Sequence, residues 1–221
     1  MTTRVEDATK SAQGVIPLFP LPQAVLFPKA LLELHVFEPR YRALVRDALQ
    51  GDRRLSVVLI TDPNRLDVQR HPCIANIAGV GEIVEHAELA GGRYNILLRG
   101  CARVRLEEVP FVAPYRRAKS LLLEDTSTSV PEGDVAALVT TARSFASLVH
   151  ECHQSFAFNL PQGTSVGALA DLCAHHLVLD ARERQRILET LDVPSRVRRV
   201  TEVLAIQRHS LMTPELRAGA N

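Results

Sequence analysis

The hydrophobic pattern of this 221-residue chain changes period once, at residues 126–134 (TSTSVPEGD). Before that break, apolar residues come in short runs or alternate every second position, with glycine turns between them, which is the pattern of strands. After it, positions 135, 138, 139, 142, 145, 146, 149, 152 and 156 are apolar at helical spacing, and no strand pattern returns. Strands first and helices second imply an α+β protein rather than alternating α/β units. The expected organisation is a polar tail over 1–13, a β-rich part over 14–125, a linker over 126–134, a helical part over 135–212 and a second tail over 213–221.

The β-rich part opens on PLFPLPQAVLFP (17–28), with Pro17, Pro20, Pro22 and Pro28 among apolar neighbours. Proline has no N–H for a ladder, so these residues belong at turns and edges, and Leu18, Leu21 and Val25 are expected to point inward. LLELHVF (31–37) reads as a strand or a strand pair. Pro39 suits a first helical position, and Tyr41, Leu44, Val45, Ala48 and Leu49 form the stripe of a helix that Gly51 ends. LSVVLIT (55–61) reads as a buried strand and TDPNRLD (61–67) as a turn. Residues 74–89 read as one long strand, where Gly79 and Gly81 mark a bulge or a barrel corner. Two strands are expected after the AGGR turn (90–93), with Ala102, Val104 and Leu106 inward and Arg103, Arg105 and Glu107 outward. A closing strand within 114–125 completes a partly closed barrel.

In the helical part, Thr164 or Ser165 is expected to cap one helix, and Asp180 with Glu183 a short one. A last helix carries Val197, Val200, Val203, Leu204 and Ile206 inward.

Three segments carry a resemblance. IPLFPLPQAVLFPKALLELHVFEPRYRALV, GVGEIVEHAELAGGRYNILLRGCARVRL and LADLCAHHLVLDARERQRILETLDVPSRVRRV together resemble the Lon N-terminal domain, the substrate-binding region of ATP-dependent Lon proteases. The resemblance implies a PUA-like β pseudo-barrel followed by a helical bundle of four or five helices. It implies a module that binds polypeptide segments, with an ATP-dependent protease as a candidate partner. No G-x-x-x-x-G-K-[ST] occurs, and the three lysines (Lys10, Lys29, Lys119) all precede the helical half. A stand-alone, non-catalytic member is therefore expected, with no peptidase or ATPase activity carried over.

Residues that could carry chemistry give weaker signals. His150, Cys152, His153, Cys173, His175 and His176 have metal-binding chemistry, but the helical phase puts Cys152 and Cys173 on apolar stripes and His150 and His175 off them. The expectation is core cysteines and no metal. His71-Pro-Cys73 lacks an orienting third group for a nucleophilic thiol. Neither catalytic residues nor a cofactor are expected, and an undetected hydrolase stands only as an alternative. Arg182, Arg184, Arg186, Arg196, Arg198, Arg199 and Arg208 crowd the last helices, but Glu183, Glu189, Asp192 and Glu202 interleave with them. A solvated mixed-charge face is expected rather than a nucleic-acid site; an RNA-binding PUA-like module is the other alternative. Net charge is +1, no apolar run approaches a membrane span, and no secretory signal is visible. Four cysteines without a CxxC pair fit free thiols in the cytoplasm. Candidate polypeptide contacts are Phe19, Phe27, Phe37, Arg40 and Tyr41. Phe19 and Phe27 serve only as scaffold if both are buried. Pairing of two copies through the helices stays open.

Overall fold

The computed structural model describes residues 14–212, so the expected tails at 1–13 and 213–221 lie outside the described residues. The chain divides into two units, Met1–Glu124 and Asp125–Asn221.

Among its described residues the first unit holds seven strands and one helix: β1 (Gly14–Leu21), β2 (Leu31–Val36), α1 (Pro39–Gln50), β3 (Arg54–Leu66), β4 (Pro72–Ile74), β5 (Ile77–Leu89), β6 (Arg93–Glu108) and β7 (Arg117–Leu123). Hydrogen bonding runs β1-β7-β6-β5-β3, and β3 returns to β1, so five strands close a ring. All the ring pairings are antiparallel except β1 with β3. β1 makes the closure by changing partner midway. Gly14–Pro17 pair with β7, and Leu18–Leu21 pair with β3. The change falls at Pro17, which has no N–H to give. β4 adds to β3, and β2 adds to β6 outside the ring.

Residues 25–27 of the proline-rich stretch cross the sheet rather than line its edge. Val25, Leu26 and Phe27 are buried. A Cβ on Gly79 would sit 1.9 Å from the Leu26 carbonyl oxygen, and one on Gly100 would sit 1.9 Å from that of Phe27. On Gly81 it would meet a Leu26 methyl at 2.7 Å. The strand glycines are the groove through which this backbone passes. The bulge expected near them is also present, as a register shift between Val80 and Gly81.

α1 forms as read. Pro39 opens it, Gly51 ends it, and Tyr41, Leu44, Val45 and Ala48 are buried. The Tyr41 hydroxyl donates to the Pro20 carbonyl at 3.4 Å, and its ring centroid lies 4.3 Å from that of Phe19. Burial raises the Tyr41 pKa, with the charge of Arg40 working against it. Arg42 donates to the Gly91 carbonyl and ties α1 to the β5–β6 turn, where Gly91 and Gly92 take positive φ.

Three local expectations are corrected. TDPNRLD is not the chain reversal, because β3 continues to Leu66. Its turn chemistry survives as an irregularity inside the strand: Asp62 Oδ1 accepts from the Asn64 and Arg65 amides at 2.9 and 3.2 Å, and the register slips on both sides of Asp62. Residues 74–89 are two strands, because the chain breaks after Ile74 to hydrogen-bond elsewhere: Ala75 N–H to Leu59 and the Asn76 carbonyl to Leu106. The two strands expected after the hairpin are the single strand β6, and its Arg103 is buried rather than solvated.

The second unit holds α2 (Glu132–Cys152), α3 (Val166–Leu177), α4 (Ala181–Glu189) and α5 (Val193–Met212). Ser165 caps α3, and Asp180 caps α4 by accepting the Glu183 amide at 2.8 Å. Asp192 does the same for α5, accepting from Ser195 at 2.9 Å. The core is Leu138, Ala142, Phe145, Ala170, Cys173, Leu177, Ile187, Val197, Val200 and Leu204. Thr126 and Ser127 are anchored to this unit by hydrogen bonds with Leu191 and Val193.

Arg196 departs from the expected solvated face. It is fully buried, its Nη2 is 2.8 Å from Asp125 Oδ1, and its Nε is 3.4 Å from the buried Asp171. Nη1 donates to the Thr190 carbonyl at 3.2 Å. Ile206, expected inward, is exposed.

Candidate functional site

Of the five residues singled out as candidate contacts, three are enclosed. Phe19 is 4% exposed, Phe27 0% and Tyr41 5%. Phe19 and Tyr41 pack against each other and Phe27 lies in the crossing segment, so these rings present little or no surface to a polypeptide. Phe37 is 62% exposed, just beyond β2. Arg40 is exposed too, but it is engaged: it pairs with Glu38 at 2.9 Å and lies 4.5 Å over the Tyr41 ring.

Phe37 leads to a surface that sequence reading passed over. β2, the first part of β6 and the second part of β5 form a three-stranded sheet beside the ring. Tyr94, Ile96 and Leu98 are buried beneath it. The solvent face brings Glu33, Leu97 and Glu85 into one row and His35, Asn95 and Ala87 into the next. His35 Nδ1 and Asn95 Oδ1 are hydrogen-bonded at 2.6 Å. A shallow groove of about 520 Å³ lies over these rows, with Leu34, His86 and Ile96 completing its lining. Leu31 and Phe37 stand exposed at the two ends of β2. Among the described residues β2 has β6 as its strand partner and no second one, so its outer edge carries no ladder. The sequence signal was the alternation of LLELHVF; what it lacked was which strands lie on each side.

A second surface surrounds a small crevice of about 30 Å³, lined in part by Pro20, Arg40, Tyr41, His71, Phe111 and Arg116. The Arg116 guanidinium is spent on Glu108 and on the Pro72 carbonyl. The chain reversal at Asp67–His71 forms one rim. Asp67 Oδ1 accepts from the Gln69 and His71 amides at 2.9 and 2.8 Å, and Oδ2 lies 3.4 Å from His71 Nδ1. The His71 amide is the largest cause holding the Asp67 carboxyl below its ordinary 3.8. A lowered pKa stabilises this loop fully above the ordinary value, and the stabilisation fades as pH falls through the folded one. The amides of Gln69 and His71 are therefore expected to keep their hydrogen-exchange protection at neutral pH and to lose it below pH 3.8, ahead of the barrel strands.

The Cys and His residues weighed for chemistry lie as follows. Cys173 is buried in the α3 face, and burial alone pushes its thiol up to about 12, far from a thiolate. Cys152, expected in the core, is exposed, because α2 ends there and the stripe that seemed to reach Phe156 is interrupted. His150 Nδ1 is 2.8 Å from the Phe156 carbonyl. The His175 and His176 rings meet edge-on, with centroids 4.8 Å apart and planes at 84°. Among the described residues no group of three or more His, Cys, Asp or Glu side chains converges to hold a metal. His71 meets the edge of Phe111 at 4.5 Å, while Cys73 stands in β4.

The sequence model of the family described as ATP-dependent protease La (LON) substrate-binding domain matches residues 15–205. The chain belongs to this family. Among curated Lon relatives, the Lon protease of Dictyoglomus thermophilum is 30% identical over 210 residues, 92% of this chain and 26% of that protein. Lon protease 2 of Myxococcus xanthus is 31% identical over 204 residues, 89% of this chain and 24% of that protein. The chain thus spans about a quarter of the length of the Lon proteases it matches. Two solved Lon N-terminal domains share the fold. That of the Mycobacterium avium complex superposes with a TM-score of 0.64 at 16% identity, covering 87% of this chain and 98% of that one. That of Xanthomonas campestris gives 0.62 at 23% identity, covering 85% and 96%. The expected α+β fold, a PUA-like pseudo-barrel followed by helices, is the fold found.

Proposed function

We propose that this chain is a non-catalytic binding module that holds extended segments of other polypeptides, acting as an adaptor in protein quality control beside an ATP-dependent protease. The outer edge of β2, which has no second strand against it among the described residues, is the observation that carries the reading. An extended peptide can add to such an edge as a further strand, drawing affinity from main-chain hydrogen bonds and specificity from alternate side chains. Leu31 and Phe37 offer apolar contact at both ends of the strand, and the groove takes the side chains that point down. Membership of a family described by substrate binding supports the same reading. The four free cysteines fit a reducing compartment, the cytoplasm, and no helix among the described residues is long and apolar enough to cross a membrane.

Ala87 is exposed in the groove, so an arginine there fills the groove without touching the core. Ala87→Arg is expected to weaken binding of fluorescein-labelled peptides from unfolded proteins by about tenfold or more in anisotropy titrations, about 1.4 kcal/mol, with the melting temperature unchanged. Equal affinity of the variant, or no peptide binding by the wild type, would sink the reading.

A further inference from the structure

The groove beside β2 carries charge of one sign. Its lining includes Glu33 and Glu85 and, among the described residues, no lysine or arginine; its other ionisable side chains are His35 and His86. The pairing register fixes where the two carboxylates stand. Leu97 of β6 lies opposite Glu33 of β2 on one side and opposite Glu85 of β5 on the other. Neighbouring strands are about 4.8 Å apart, so the two glutamates flank Leu97 at roughly 10 Å from each other. Both are exposed, and neither makes an ion pair among the described residues.

The charges around the groove are balanced or distant. One row along, Arg99 of β6 lies opposite Glu82 of β5, and their side chains pair at 2.9 Å. In the other direction Arg93 donates to the Ala90 carbonyl at the hairpin turn. It stands four residues from Leu97, about 13 Å along the strand, which exceeds the screening length of about 8 Å at physiological salt. Glu88, exposed on β5 opposite Tyr94, adds a further carboxylate.

We propose that this groove selects for basic side chains: the segments it holds place a lysine or arginine two residues from an apolar side chain. The inference rests on capture of extended segments by the β2 edge. In a strand added to that edge, the residue opposite Glu33 shares its face, with Cβ atoms about 4.5–5.5 Å apart. A cation there forms a cross-strand ion pair, and a carboxylate there meets a like charge. The residue two positions away lies opposite Leu31, which is 54% exposed and takes an apolar partner. Glu85, beyond Leu97, adds to the field that draws the basic segment in. The same field repels the phosphate backbone of RNA.

The test uses the full chain and three short fluorescein-labelled peptides of alternating threonine and valine. They differ only at the centre, which is arginine, glutamine or glutamate. In anisotropy titrations the arginine peptide is expected to bind most tightly and the glutamate peptide least, with about fivefold or more between their Kd values. That ratio should shrink as salt rises from about 50 mM to about 500 mM. Glu33→Gln should narrow it and Glu33→Lys reverse it, whereas Glu107→Gln, exposed at the far end of β6, leaves it unchanged. Equal binding of the three peptides, with Ala87→Arg still weakening all of them, overturns the preference for basic side chains and leaves strand capture standing. No binding of any peptide overturns both. An order that survives in Glu33→Lys overturns the assignment to this groove. A concentration-dependent dimer lost in Glu33→Lys would give the edge to a second copy and overturn it as well.

Discussion

Gly100→Ala is expected to unfold the N-terminal unit, or to leave it with a melting temperature lower by on the order of 10 °C. The added methyl would lie 1.9 Å from the Phe27 carbonyl oxygen, a distance no packing arrangement tolerates. No flexible side chain can yield there, because the obstacle is backbone. Either β6 bends away from the 25–27 crossing or the crossing lifts off the sheet, and both moves open the layer that holds Leu26 and Phe27, each fully buried. Overpacking of a core costs about 1–3 kcal/mol when side chains can shift; a backbone obstacle places this change at the top of that range or above it. Gly79→Ala meets the Leu26 carbonyl at the same distance and should behave alike. Gly133→Ala is the internal control: nothing lies within 4 Å of its added methyl, and it sits within α2. That substitution, at the second position of the helix, is expected to stabilise the helical unit by about 0.4–1 kcal/mol through the unfolded chain. Thermal or urea unfolding of the three variants checks the set, and a Gly100→Ala protein as stable as wild type would mean that the crossing does not run where it is described.

Arg196→Met should be the most damaging change in the helical unit. Arg196 is 0% exposed and holds Asp125, where this unit begins, against Asp171 of α3 and the carbonyl that follows α4. Methionine fills similar volume but leaves a buried carboxylate without its cation. Removing one partner of a buried pair costs about 3–5 kcal/mol, whereas replacing both by apolar groups is often neutral. The double variant Arg196→Met/Asp171→Leu is therefore expected to recover a large part of the loss, and urea unfolding measures both. Gly167 belongs to the same arrangement, since its Cβ would stand 2.9 Å from Arg196 Nη2 and 3.0 Å from Asp125 Oδ2. A double variant no more stable than the single one would show that Arg196 acts through packing alone.

The sequence carried the first of these features only halfway. Gly79 and Gly81 stand out inside an apolar strand pattern, and a bulge is indeed at Gly81. That their missing side chains admit residues 26 and 27 depends on a contact across more than fifty positions, which no local pattern encodes. Arg196 was hidden more thoroughly. In sequence it is one arginine among seven in a mixed-charge stretch, and only the placement of Asp125 and Asp171 distinguishes it from Arg198, which is exposed. The candidate surface was legible to the same partial degree. Phe37 was named and is exposed, but Phe19, Phe27 and Tyr41, named with it, are buried, as the helix stripe already implied for Tyr41.

What the sequence determined by itself is whatever is settled within a few residues. The change from strand to helix periodicity, the caps at Ser165 and Asp180, the first turn at Pro39 and the tight turn at Gly91-Gly92 each follow from local backbone chemistry. The tertiary structure alone decided which proline-flanked residues are swallowed by the barrel, which arginine is buried and which strand edge is left open. Those outcomes follow from burial and pairing between distant segments, where the same side chain is core, ion-pair partner or docking surface according to what closes over it.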